Sequence, residues 1–115
     1  MSRDDTYLRD ILDSARLIKN YIGDVSYKDF QNDTVRQDAV ARRFEIIGEA
    51  TKRLSAEARA RFPDIPGELA AGMRDVLIHA YDDVNLEIIW HTAMQNVPIL
   101  IAQIEAHFAQ HPLPK

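Results

Sequence analysis

Between Asp5 and Ile22 the apolar residues Leu8, Ile11, Leu12, Ala15, Ile18 and Ile22 recur at steps of three and four. That spacing gathers them on one face of an α-helix, whereas a strand would scatter them over both of its faces. The same period returns in Val40, Phe44, Ile47, Thr51 and Leu54, then in Leu69, Met73, Val76, Leu77 and Ala80. A last stripe holds Ile89, Trp90, Ala93, Val97, Leu100, Ile104 and Phe108. A chain of 115 residues has material for one core, so the four stripes must be buried against each other. The pattern predicts a single all-α domain, an up-down four-helix bundle.

The helix boundaries follow from capping chemistry. Asp4 and Asp5 favour the start of the first helix and Gly23 its end. Asp24 to Asn32 reads as a polar connection, after which Asp33 or Thr34 can cap a second helix that runs to about Leu54. Gly48, inside that helix, is expected where another helix crosses, and Glu49 beside it is expected to face solvent. Ser55 can cap a short additional helix over Ala56–Arg61, and the third long helix is expected to begin near Pro66. The run Tyr81-Asp82-Asp83-Val84-Asn85 breaks the period. The last helix is expected from about Leu86, kinked at Pro98, with a tail over 109–115. Tyr7 and Tyr21 flank the first stripe and are expected to pack with wet hydroxyls.

Composition narrows the chemistry. The chain has no cysteine, which removes disulfides, thiol nucleophiles and cysteine-based zinc sites. The Glu-x-x-His pairs of di-metal bundles are absent; His107 and His111 have a chelating spacing but no third ligand in view. No apolar run is long enough to span a bilayer, and the N-terminal residues lack a secretory pattern, so a cytoplasmic location is expected. The net charge of −4 opposes nucleic acid unless a basic surface is set against it. Seven of the 14 Lys and Arg lie at Arg36, Arg42, Arg43, Lys52, Arg53, Arg59 and Arg61, interleaved with Glu45, Glu49 and Glu57. Such spacing also suits a self-neutralised helix face.

One stretch stands out chemically: Arg74-Asp75-Val76-Leu77-Ile78-His79-Ala80-Tyr81. Arginine supplies a permanent charge that fits phosphate oxygens, and histidine exchanges protons near neutral pH. At ~100° per residue, Tyr81 nearly eclipses Arg74, whereas His79 lies ~140° away. Either the helix distorts before His79, or a second copy of the chain completes the site. Asp75 precedes His79 by one turn and can pair with the imidazole.

Arg74-x4-His79-x-Tyr81 resembles the Arg-x4-6-His signature of the HEPN superfamily, in the Arg-x4-His-x-Tyr form of its HepT-like branch. Ile46-Ile47-Gly48-Glu49-Ala50 and Val84-Asn85-Leu86-Glu87-Ile88-Ile89-Trp90 are similar to the same branch. The chain departs from it at Pro66-Gly67-Glu68, where relatives commonly carry a tryptophan after the proline. The resemblance implies a HEPN-like bundle acting as a metal-independent endoribonuclease toxin, a homodimer with no cofactor. Arg74 and His79 would be catalytic, and Asp75 and Tyr81 supporting. Its partner would be an MNT-type nucleotidyltransferase antitoxin that transfers AMP to Tyr81. Arg42, Arg43, Lys52 and Arg53 are the expected contacts to the RNA backbone. A non-catalytic helical subunit that docks the nucleotidyltransferase is the alternative.

Overall fold

The first stripe becomes α1 (Arg3–Ile22), with Leu8, Ile11, Leu12, Ala15, Ile18 and Ile22 all buried. Gly23 ends it at φ +52°, its N–H bonding to the Lys19 carbonyl at 3.0 Å, a left-handed conformation that costs glycine little. The computed structural model describes residues 3–62, 73–80 and 82–112, and only the backbone of Met73, Arg74 and Asp75.

The expected polar connection contains a helix of its own. Ser26 caps α2 (Tyr27–Gln31) by accepting the Asp29 N–H, and Phe30 is fully buried. Five residues are too few to show a period, so the cap was the only local signal. The Gln37 side chain closes the other end by donating to the carbonyls of Phe30 and Gln31 at 2.8 and 2.9 Å.

Asp33 caps α3 (Thr34–Arg53), which buries Val40, Phe44, Ile47, Gly48, Ala50 and Thr51. Arg36 donates to both the Asp33 carboxylate and the Tyr21 carbonyl, tying the start of α3 to the end of α1. Glu49 is exposed and pairs with Lys52 at 3.7 Å. Ser55 then caps α4 (Ala56–Arg61) and fastens it to α1, since its N–H and hydroxyl both donate to Asp4, at 2.9 and 2.7 Å.

The expected start of the third helix near Pro66, with Leu69, lies outside the described residues. The described part is α5 (Met73–Ile78), and Val76, Leu77 and Ala80 pack half-buried against the core. α6 (Asp83–His91) begins three residues before the expected Leu86, because the Asp82 side chain caps it. A π-helical turn, Thr92–Asn96, joins α6 to α7 (Val97–Gln110). The Val97 N–H bonds to the Thr92 carbonyl five residues back. Pro98 has no N–H to offer a regular helix, and the widened turn just ahead of it absorbs the defect. Ala93 and Val97, four residues apart, therefore both stay buried. α7 continues through Ala109 and Gln110, into the stretch expected to be a tail.

α1 packs along α3 on one side and α7 on the other, while α5 lies on α6 and touches α3. Phe30, Phe44, Ile47, Ile89, Leu100 and Ile104 meet in the one core, each contributing roughly 1.5–3 kcal/mol by leaving water. Arg16 and Glu105 join α1 to α7 at 2.7 Å, but both are about half exposed, so the pair adds little. Among the described residues no strand occurs and no helix is long and apolar enough to cross a membrane.

Candidate active site

The motif straddles the end of α5. Arg74 and Asp75 are its second and third residues, and His79 follows its last residue, Ile78. The helix ends at Ile78, just before His79. His79 is exposed. The side chains of Arg74 and Asp75 and the whole of Tyr81 lie outside the described residues.

What holds His79 is the segment after it. Its carbonyl accepts the Asp82 N–H at 2.9 Å and the Asn85 side-chain N–H at 3.1 Å. Asp82 in turn accepts the Val84 N–H on its side chain and the Leu86 N–H on its carbonyl, both at 2.9 Å. Leu86 and Ile89 are buried, and the Trp90 ring packs on Phe30 and Tyr27 with centroids 5.2 and 5.6 Å apart. The motif turn is therefore anchored to the core through α6, and an exposed imidazole rests on a cross-tied backbone.

Of the four basic residues expected at the RNA backbone, two share a groove. Arg42 and Arg53 line one groove of ≈ 220 Å³ between α1 and α3, with Tyr7, Asp10, Ile46, Glu49 and Ala50. They are eleven positions apart, which brings them within ~20° of each other around the helix. Arg43 and Lys52 do not line that groove. Arg42 pairs with Glu45 at 3.3 Å, whereas Arg53 makes no ion pair among the described residues. Tyr7 and Asp10 come from α1, so no pattern within the α3 sequence could have indicated them.

The ring centroids of His107 and His111, considered above as a chelating pair, lie 5.0 Å apart, and His107 has further partners. Its Nε2 lies 3.3 Å from Asp5, and its ring packs against Phe62 and Phe108. No cluster of three metal-ligating side chains occurs among the described residues. Ile78, Val84 and Ile88, near the motif in sequence, are 62%, 64% and 40% exposed, and Val35, Met94 and Ile99 are exposed elsewhere. Ile78 adjoins His79, and Val84 and Ile88 stand one turn apart on α6.

The sequence profile of the family described as "Ribonuclease HepT-like" matches residues 11–107. A Thermococcus cleftensis protein named "Probable ribonuclease HepT" is 38% identical over 99 residues, covering 86% of this chain and 90% of that one. One from Caldanaerobacter subterraneus subsp. tengcongensis, named "Putative RNase TTE0752", is 40% identical over 99 residues, covering 86% and 88%. No solved structure matches. With the helical frame, the motif at the end of α5 and relatives matched over most of their length, the chain belongs to the HepT-like ribonuclease family.

Proposed function

We propose that the protein is a metal-independent endoribonuclease, the toxin of a toxin–antitoxin pair in the cytoplasm. The observation that carries the reading is His79: an exposed imidazole on a turn pinned at its carbonyl, five residues after Arg74 in a family of ribonucleases. Histidine in that setting takes the proton from an RNA 2′-hydroxyl, whose oxygen attacks the adjacent phosphorus. The bond to the 5′-oxygen breaks and that oxygen takes a proton from water, leaving a 2′,3′-cyclic phosphate and a 5′-hydroxyl. Arg74 steadies the charge that grows on the phosphate oxygens, so the route calls on no metal. Asp75 supports the imidazole, and Tyr81 holds RNA by stacking or hydrogen bonding. Arg42 and Arg53, with Arg43 and Lys52 as further contacts, hold the RNA backbone.

The protein works as a homodimer in which two motifs share a cleft. The exposed Ile78, next to His79, and the exposed Val84 and Ile88 on α6 support this, because exposed apolar groups near a polar site favour a covered surface. An MNT-type nucleotidyltransferase silences the enzyme by transferring AMP to Tyr81, placing bulk and negative charge where the scissile phosphate must bind.

Expression of the chain alone should arrest growth, and the purified protein should cut RNA in the presence of a chelator. Co-expression with the nucleotidyltransferase should relieve the arrest and add the mass of AMP to the peptide holding Tyr81; Tyr81→Phe should block that addition. A protein that binds the nucleotidyltransferase but leaves RNA intact and cells growing would replace this reading with the non-catalytic docking subunit.

A further inference from the structure

We infer that Asn85 is a positioning residue for His79. This rests on the proposed role of His79 in proton transfer, and it adds a requirement outside the Arg-x4-His-x-Tyr motif. The His79 carbonyl has two lone pairs, and both are used: one by the Asp82 N–H at 2.9 Å, the other by the Asn85 Nδ2 at 3.1 Å. The first bond closes a turn of four residues. The second joins that turn to α6, whose next residue, Leu86, is 4% exposed and whose Ile89 and Trp90 sit on the core.

The imidazole hangs from the Cα next to that carbonyl. Holding the carbonyl from both sides fixes the peptide plane after His79, and so limits where the ring can swing. α5 has ended at Ile78, and these two bonds on the carbonyl come from the turn and from α6. Among the described residues the Asn85 side chain donates only to the His79 carbonyl, and it is Asp82 that caps α6. Without it, the exposed carbonyl would bond to water, at small cost to the fold but with a looser ring.

The test uses the full chain carrying Asn85→Ala or Asn85→Leu, the second keeping the volume if the first fails to fold. RNA cleavage is measured for kcat and KM, and the four histidines are followed by nitrogen-15 NMR through a pH titration, with His79 assigned from His79→Ala. The expected result is a kcat reduced ~10-fold with KM within about twofold, and a displaced His79 signal while His91, His107 and His111 stay in place. Asn85→Gln, which keeps an N–H donor on a longer arm, should recover part of kcat. A purely structural residue would move the melting temperature without that kcat and KM split. Wild-type kcat in Asn85→Leu, or an unmoved His79 signal, overturns the inference. Should the wild-type protein cut no RNA, the ribonuclease reading fails on its own. The His79 signal then decides positioning alone, displaced in support or unmoved against.

Discussion

The carbonyl of His79 accepts the backbone N–H of Asp82 at 2.9 Å, closing a turn directly after α5. The residue proposed to move the proton thus stands outside a helix, and its freedom is set by the start of α6. This relationship makes Asp82 important twice, as the closing residue of the turn and as the cap of α6 through the Val84 N–H.

Asp82→Ala should lower stability by about 1 kcal/mol, as lost N-caps do, while Asp82→Asn should cost only a few tenths. Urea unfolding of the two variants checks this. Equal losses would mean that the cap contributes little at this junction.

The Tyr27 hydroxyl is buried and, among the described residues, makes no hydrogen bond of sound geometry. Burial raises its pKa, with the charges of Glu87 and Asp83 adding to the effect and Gln31 opposing it. Removing an unpaired buried polar atom relieves its desolvation cost, so Tyr27→Phe should unfold at the same urea concentration as the wild type or higher. Destabilisation by ~1 kcal/mol would show that the hydroxyl has a partner in solution.

Asp4 accepts the N–H and the hydroxyl of Ser55, and these bonds, the backbone one foremost, hold its carboxyl below the usual aspartate range. The unfolded chain therefore takes up the proton first as the pH falls. The stabilisation is complete above the unfolded pKa of ~4 and disappears as the pH drops through the lower folded value. Asp4→Asn should lose up to about 1 kcal/mol at neutral pH and show a shallower loss of stability below ~4. Thermal melts from pH 7 to 2 compare the two. Parallel curves would contradict the link between Asp4 and Ser55.

Arg42 and Arg53 share a groove, whereas Arg43 and Lys52 stand apart from it. In a His79→Ala background, which keeps the substrate intact, changing Arg42 and Arg53 together to alanine should weaken RNA binding. It should also reduce the salt dependence by about 1.4, for two phosphate contacts to a single strand. Changing Arg43 and Lys52 together should have a smaller effect on both. Equal effects from the two pairs would assign the basic surface to charge alone, not to the groove.

The long helices α1 and α3 were legible because each buries a stripe that repeats over many residues, and the caps of α3 at Asp33 and of short α4 at Ser55 are local chemistry. The short helix α2 was not legible, since one buried side chain, Phe30, makes no period. The effect of Pro98 was readable as a break, but its form, a π turn that keeps Ala93 and Val97 both buried, depends on what the helix packs against. At the candidate site, the residue types and spacing of Arg74 and His79 were plain in the sequence. The bond from Asn85 and the α1 side of the Arg42–Arg53 groove were not. Each joins residues through the fold, and residue order alone does not specify such contacts.

The most direct measurement is cleavage of an end-labelled RNA in excess EDTA by wild-type protein and by His79→Ala, with circular dichroism confirming that both are folded. The account predicts that wild-type protein yields fragments ending in 2′,3′-cyclic phosphate and that the folded His79→Ala protein yields none. Cleavage by His79→Ala at the wild-type rate would contradict it.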